Sequence, residues 1–588
     1  MSKHPKGLPT ISSEVVHGQS LLAGGKPSPL EVVLAYHKRT KHHPYRYAAS
    51  LGYLDWANQP DPFRRYAGAE LTELPFDREW QSPDYSKLYV ANAIATEPLS
   101  LISLSRLLRH SLALSAWKQS GTSRWPLRVN PSSGNLHPTE AYLVLPAVEG
   151  LSQAPGLYHY APKAHGLEHR AIIHTNSFRG YLPTAVAGCF LIGLASVHWR
   201  EAWKYGERAF RYCQHDVGHA LAAIRIATAT LGWDLRVLEG VPSTAIGAML
   251  GVNRNEDFHD AEREAPELLA LVDTRKDNVV MPEGGSDCCR LPTCSEYFGQ
   301  ANRLSAEHVA NWDVIEEVSL VTQSDGQTRD ITPNTNRSLT RTQFATPPEA
   351  GEPSAAEVIL KRRSAVAMDG SSFLARADFF RMLSRLVPTK SGDSNECANA
   401  MPWDAMTWPS RVQLVLMVHR VSGLASGLYA LLRSREHWDD LRASLSDKFS
   451  WSEVLADGDD LPLYLLTEGN FQEAAAAVSC GQRIASDGAF SVIMLADYRG
   501  SLVEQGAAFY RRLFWETGMI GQILYLEAEV AAMRGTGIGC FFDDSVHALL
   551  GLRTDQWQSL YHFTVGGPAH DERLQTLPAY HEVTASSI

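Results

Sequence analysis

The 588-residue chain has little cysteine, little net positive charge and no long apolar run. Its eight cysteines, Cys189, Cys213, Cys288, Cys289, Cys294, Cys397, Cys480 and Cys540, are mostly isolated. That excludes a small disulfide-stapled scaffold and suits reduced thiols in a cytoplasm. Cys288-Cys289 with Cys294 is the one cluster, and no second cluster or His pair with ligand spacing stands nearby. It reads as chance cysteines in a connecting segment, and no metal site is expected. The longest apolar run, around Ala185 to Val197, is shorter than the roughly 20 residues that cross a membrane and reads as core. The start, Met1-Ser-Lys-His-Pro-Lys-Gly7, has no apolar run after its positive charges, so no secretory signal is read and a cytoplasmic location is expected. Lys and Arg number 54 against 65 Asp and Glu, a net charge of −11. A global basic footprint for nucleic acid is therefore missing.

What is present is ordinary globular material, 44 % apolar and 20 % charged. At roughly 100–200 residues per domain the length allows about three to five units. An internal repeat reduces that choice. Leu143-Val144-Leu145 precedes Gly156-Leu157-Tyr158, and Leu414-Val415-Leu416 precedes Gly427-Leu428-Tyr429 at the same spacing. In each case the apolar run predicts a strand and the Gly-Leu-Tyr the next strand of a hairpin. Gly218 and Gly518 each open a long apolar-periodic segment, and Leu250-Gly251 and Leu550-Gly551 each close one. The ordered set predicts two copies of an α+β unit of about 200–230 residues. Helical spacing is read in Leu99–Trp117, Arg208–Leu231 and Gly506–Met533, the last two as central helices of a helix-on-sheet layer. The division is an aromatic-rich extension over 1–90, a first lobe over 91–290, a linker over 291–353 and a second lobe over 354–588. Tyr45, Tyr47, Tyr53, Trp56, Phe63 and Tyr66 predict that the extension packs on the body of the protein.

Three segments could carry chemistry. The first is Arg128-Val-Asn-Pro-Ser-Ser-Gly-Asn-Leu-His-Pro-Thr-Glu-Ala-Tyr142. Pro131, Ser132, Ser133, Gly134 and Asn135 offer backbone N–H groups and short hydroxyls that can approach a flat polar cofactor, or form a tight turn before a strand. The second is Leu360-Lys361-Arg362-Arg363-Ser364, in which two guanidinium forks and a hydroxyl can hold a phosphate, or merely face water. His37-Lys38-Arg39-Thr40-Lys41 is its partial counterpart. The third is Trp203-Lys204-Tyr205-Gly206-Glu207-Arg208, where a lysine beside a tyrosine could serve as base and proton relay, or form the wet face of a helix. The matching stretch of the second copy, Gln505 to Gly518, has no Lys-Tyr pair.

Together these segments resemble the nitroreductase superfamily, and within it the dehydrogenases of the SagB/ThcOx type. The resemblance rests on Arg-x-x-Pro-Ser-Ser-Gly-Asn running into a Glu-x-Tyr strand, on Arg362-Arg363-Ser364, on Val237-Leu238-Glu239-Gly240, on Lys204-Tyr205 and on the Gly518 to Leu526 run with Gln522. It spans roughly residues 95–280 and 355–575. It implies an α+β fold built as two tandem lobes, an intramolecular pseudo-dimer, with FMN at the interface between them. On that resemblance, Arg362, Arg363 and Ser364 would hold the flavin phosphate. Pro131, Ser132, Ser133 and Asn135 would approach from the other copy, and Arg573 could add a phosphate contact. Lys204 and Tyr205 would be the catalytic pair. The second copy's own loop region, Ser391–Ser410, matches poorly, so one intact site is expected. Its partner would be made from Arg39, Lys41, Glu239 and Gly240.

The function implied is an FMN-dependent oxidoreductase, most specifically a dehydrogenase that turns an azoline ring of a modified peptide, or a similar small-molecule heterocycle, into an azole, passing electrons to oxygen. The alternatives are an NAD(P)H-dependent nitro- or quinone-type flavin reductase and a flavin-poor scaffold in a biosynthetic complex. The chain has no dinucleotide Gly-x-Gly-x-x-Gly after a strand, but such reductases do not need one. The expected partners are the substrate and, beyond the pseudo-dimer, a further copy of the chain, with neither nucleic acid nor membrane.

Overall fold

A computed structural model describes residues 26–181, 188–275, 291–327, 352–388, 400–455 and 461–580. Two antiparallel sheets dominate it. In the first lobe the strands run across the sheet as Cys294–Tyr297, Gly166–Ile173, Gly156–Ala161, Thr139–Leu145, Cys189–Ser196, Ala265–Asp273 and Asp234–Val237. In the second they run as Ser452–Glu453, Leu463–Glu468, Gly427–Leu431, Val412–Val418, Phe490–Asp497, Trp557–Gly566 and Arg534–Ile538. Apart from the edge strands Cys294–Tyr297 and Ser452–Glu453, the order of chain returns is the same in both, so the duplication read from tripeptides is a duplication of topology. The central strands, such as Thr139–Leu145 and Phe490–Asp497, are buried on both faces. That is why they read as unbroken apolar runs rather than alternating ones.

The predicted hairpins form, with one difference in register. Leu143 faces Tyr158, whereas Tyr429 faces Leu416 and not Leu414. The second hairpin therefore closes two residues tighter than the equal spacing of the tripeptides suggests. The helix read over Leu99–Trp117 ends at Arg109, and Leu114–Ser120 is a strand paired with Ser123–Arg128 and with Gln575–Leu577. The positively twisted turn at Gly121 (φ 57°) returns the chain there. Gln575–Leu577 belongs to the second lobe by sequence, so the C-terminal segment crosses onto the first.

The two central helices, Ala209–Thr230 and Phe509–Val530, pack on each other. Every residue of the first is buried. A helix enclosed on all sides needs no one-sided apolar stripe. Gly218 and Gly518 lie within these helices rather than opening them, because they are the crossing point. A Cβ on Gly218 would stand 2.2 Å from the Trp515 carbonyl oxygen, and one on Gly518 2.2 Å from that of His215. Gly251 (φ 70°) and Gly551 (φ 77°) close the following helices in the left-handed conformation, as their position after Leu250 and Leu550 predicts.

The flanking segments are more structured than their composition suggests. Helix Pro29–Arg39 starts from a Ser28–Glu31 capping box, and its Tyr36 sits between Phe210 and Tyr510, one from each central helix. Phe63 and Tyr66 are buried, but Tyr45, Tyr47, Tyr53 and Trp56 are exposed. Here the backbone does the packing: the Glu207 N–H donates to the Ala49 carbonyl at 3.0 Å. The first half of the predicted linker contributes edge strand Cys294–Tyr297 and helix Asp313–Val321, which buries Ile315 and Val318. Its polar second half lies outside the described residues.

Replacing Gly218 by Ala should cost about 1–3 kcal/mol, because the crossing must open to admit a methyl group. Gly240→Ala, where an added Cβ meets nothing within 4 Å, should be near neutral. Urea unfolding midpoints of the two variants check this, and equal midpoints would remove the crossing as a constraint.

Candidate functional site

A cavity of about 820 Å³ lies between the lobes. Its wall is assembled from segments hundreds of residues apart: Pro131–Asn135 from the first lobe, Arg362–Ser364 and Arg534–Cys540 from the second, and Pro568–Asp571 near the C-terminus. Its size falls within the ordinary range for cofactor pockets.

The serine loop is held open toward this space by the first central helix. Asp216 accepts from the Ser133 N–H at 3.0 Å and from the Ser133 hydroxyl at 2.9 Å. Ser132 Oγ accepts from the His137 N–H at 2.8 Å, and the Asn135 amide donates to the Pro126 carbonyl at 2.8 Å. Gly134 and Asn135 both take positive φ, 58° and 60°. Burial pushes the Asp216 carboxyl up to about 7, against the opposing pull of Ser132 and Ser133.

Lys204 and Tyr205 end helix His198–Tyr205, which packs under the same loop. A Cβ on Gly134 would stand 2.6 Å from Tyr205 Oη and 3.1 Å from Lys204 Nζ. Gly134 is therefore the position at which the loop can come down on both side chains. Lys204 Nζ is 5.3 Å from the centre of the Tyr205 ring. Burial, with the nearby Glu201 carboxyl, raises the Tyr205 phenol well above its ordinary value, so it stays protonated at neutral pH. Glu201 itself is buried, has no hydrogen-bond partner on either oxygen, and is pushed well above its ordinary value by desolvation and by Asp216.

The arginine pair crosses from the other lobe. Arg362 Nε donates to the Val129 carbonyl at 2.9 Å and Nη2 to the Arg128 carbonyl at 3.0 Å, leaving Nη1 buried without a partner. Arg363 Nη2 donates to the Ser115 carbonyl at 3.1 Å. Ser364 Oγ lies 2.9 Å from Tyr525 Oη, which accepts from the Gly537 N–H at 3.0 Å. Burial brings Arg362 down to about 10 and Arg363 to about 9, Arg534 adding repulsion to both and Arg362 to Arg363. A wall with one orphaned guanidinium Nη1 and three mutually repelling cations fits a phosphate, which would accept hydrogen bonds from that nitrogen and relieve the repulsion. Arg573 is placed elsewhere: its side chain is 84 % exposed and pairs with Asp571 at 2.8 Å.

Several contributors carried no signal that single motifs could reveal. Gly535, Gly537 and Gly539 alternate along strand Arg534–Ile538 and its exit, so their bare faces lie on one side. A Cβ on them would strike Phe563, Tyr561 and Tyr212 respectively. The glycines let Tyr212 and Tyr561, both in the cavity wall, approach the strand closely. Alternating glycines in a strand are the signal that could have marked this close approach.

The pseudo-equivalent position, displaced by 300 residues, is nearly closed. Val237, Leu238, Glu239, Arg512 and Trp515 surround only about 30 Å³. Glu239 pairs with Arg512 at 2.5 Å, and Trp408 packs on Trp515 with ring centres 5.9 Å apart. Arg39 pairs with Glu207 and Lys41 with Asp544, so neither points a free charge at a ligand. Of Ser391–Ser410, the residues before Ala400 lie outside the described set. Glu516 occupies the place of Asp216 on the second central helix. It accepts from the Arg411 N–H at 2.9 Å, an anchor retained after the loop it would hold has changed.

Asp216 has a stability signature. Its folded value lies above the unfolded one, so the native state holds the proton more tightly and wild type loses stability as pH rises from about 4 to about 7. Asp216→Asn should lack that slope. Thermal midpoints of the two proteins at pH 4, 5.5 and 7 should diverge in favour of the asparagine as pH rises; parallel curves would place the titration elsewhere.

No family model and no curated protein sequence matches the chain. Solved structures do. A crystal structure from Anabaena variabilis, provisionally named a nitroreductase, is similar over 92 % of this chain and 99 % of its own, at 23 % identity and a TM-score of 0.63. Shorter likenesses include the Escherichia coli microcin synthetase McbBCD complex with truncated pro-MccB17 bound, at 18 % identity over 42 % of this chain and 92 % of that one, TM-score 0.26. They also include the Vibrio harveyi NADPH:FMN oxidoreductase complexed with NAD+, at 14 % identity over 36 % and 68 %, TM-score 0.21.

Proposed function

We propose that this chain, with its duplicated nitroreductase-type fold, is an FMN-dependent oxidoreductase with one flavin site built across its two lobes. The observation that carries the reading is the 820 Å³ cavity, in which the serine loop of one lobe meets the arginine pair of the other. The near-closure of the pseudo-equivalent position supports one flavin per chain rather than two. Arg362 and Arg363 would take the phosphate, with the orphaned Arg362 Nη1 as a preformed donor. Ser132, Ser133, Pro131 and Asn135 would lie along the edge of the ring system.

Bound there, FMN would supply a hydride acceptor. The chain's own part is the proton. Lys204, acting as the neutral amine, would take it from the substrate carbon next to the one losing hydride. Tyr205, kept protonated by burial, would orient that substrate by donating a hydrogen bond. This arrangement suits an azoline-to-azole dehydrogenase, in which loss of a hydride and a proton makes the ring aromatic. The Lys204–Tyr205 pair under the loop favours it over an NAD(P)H-dependent nitro- or quinone reductase, which has no need of a substrate-side base.

Purified protein should be yellow and release about one FMN per chain; two per chain at full occupancy would sink the one-site reading. Lys204→Ala should keep the flavin and lose at least about 100-fold in turnover of an azoline peptide, the usual contribution of a general base. Retained activity would remove Lys204 from the chemistry. Arg362→Ala should weaken flavin binding without altering the fold, read by equilibrium dialysis and circular dichroism. Rapid flavin bleaching by NADPH in a stopped-flow mixer would favour the reductase.

A further inference from the structure

Cys480 and Cys540 are 60 residues apart in sequence, yet their Sγ atoms lie 2.7 Å from each other. Cys540 follows Gly539 at the exit of strand Arg534–Ile538 and lines the large cavity. Cys480 stands two residues beyond helix Gln472–Val478. The two segments are held together by backbone and side-chain bonds around the sulfurs. The Phe542 N–H donates to the Val478 carbonyl at 2.8 Å. The Gln482 amide donates to the Cys540 carbonyl at 3.0 Å and to that of Ser479 at 3.0 Å. The proximity is therefore imposed by the fold and does not depend on rotating two free side chains. Both cysteines are partly exposed, whereas Cys189 and Cys213 are buried.

The two thiols sit in unequal surroundings. The Arg208 guanidinium reaches this corner, donating to the Gly539 carbonyl at 3.2 Å and leaving its Nε unpaired. The Cys480 side chain, and then Arg208, hold the Cys540 thiol below its ordinary value although burial opposes them, while Cys540 and burial push Cys480 up. Cys540, which also lines the cavity, is thus the more readily ionised member, and Cys480 the one that holds its proton more tightly. An accessible thiol with a second thiol at contact distance is the arrangement in which oxidation stops at a disulfide.

The geometry points to a redox-active dithiol in the cavity wall, in which Cys540 attacks a hydroperoxide and Cys480 resolves the product to a disulfide. In the first step the Cys540 sulfur bonds one peroxide oxygen, the O–O bond breaks, and the leaving hydroxide takes a proton and departs as water. Cys540 is left as a sulfenic acid. In the second, the Cys480 sulfur attacks Cys540, the S–S bond forms, the S–O bond breaks, and the hydroxyl leaves as water with the Cys480 proton. Two thiols and one hydrogen peroxide yield one disulfide and two waters; sulfur loses two electrons and the peroxide gains them. An external dithiol returns the pair to its starting state. This chemistry needs no flavin and does not rest on the reading of the cavity as a flavin site.

The test is made on the full chain as purified. It is exposed to equimolar hydrogen peroxide, quenched with N-ethylmaleimide and analysed by peptide mass spectrometry. A Cys480–Cys540 cross-linked peptide, two hydrogens lighter than the sum of its parts and reversed by dithiothreitol, is expected. It should form at least tenfold faster than any modification of Cys189 or Cys213. Cys480→Ser should accumulate a sulfenic acid on Cys540 that dimedone traps, and Cys540→Ser should leave Cys480 as a thiol. Absence of the cross-link in the wild-type protein overturns the proposal whatever the variants do. A sulfenic acid appearing on Cys480 in Cys540→Ser as fast as on Cys540 in Cys480→Ser overturns the assignment of roles.

Discussion

The architecture depends on two helices touching without side chains between them. At Gly218 and Gly518 the central helices approach until backbone meets backbone. Everything that joins the lobes is referred to that crossing. It sets Asp216 under the serine loop of one lobe and carries Tyr525 to the arginine pair of the other. It also brings Arg208 and Arg211 against the buried Asp543 of the opposite lobe, at 3.2 and 3.1 Å. Buried ion pairs of this kind add little net stability but are costly to break, so they act mainly to fix how the lobes sit. The cavity is a by-product of that fixed relation: neither lobe alone encloses it.

Electrostatics then divides the cavity into two ends. Around Arg362, Arg363 and Arg534 cations crowd together, with burial opposing their charge. Beneath the serine loop Glu201 and Asp216, both carboxyls, are held toward the neutral form by the same burial. One end thus gathers positive charge, and the other gathers carboxyls that burial pushes toward their neutral form. The glycine-bared strand Arg534–Ile538 and the tyrosines close against it belong to the same cavity wall. That separation, rather than any single residue, is what makes the space suited to a ligand with a charged tail and a planar head.

Much of this was legible in the chain. The repeat survived as ordered fragments because the strands in question are buried on both faces, where only apolar residues fit. The serine loop and the arginine pair were legible because each packs its chemistry into five consecutive residues. Other features were hidden for physical reasons. The helix over Leu99–Trp117 was read too long because helical spacing and a following strand such as Leu114–Ser120 can both place apolar residues acceptably over a short window. Gly218 and Gly518, which the apolar pattern places at the opening of periodic segments, sit mid-helix, where the missing side chain is the contact. Asp216, Tyr561 and the Cys480–Cys540 pair acquire meaning only from neighbours far away in sequence, which no local pattern encodes.

The closed position around Trp408, Arg512 and Trp515 has a consequence for how such a molecule can change. In a dimer of identical subunits every substitution is installed twice, so a bulky side chain that blocks one interface pocket blocks its mate. Joining the two halves in one polypeptide breaks that bond between them. Tryptophan can fill one pocket while the other keeps its glycines, and a loop can be lost from one half without being missed in the other. The closed position, filled with large side chains and an ion pair, packs where the open one leaves space.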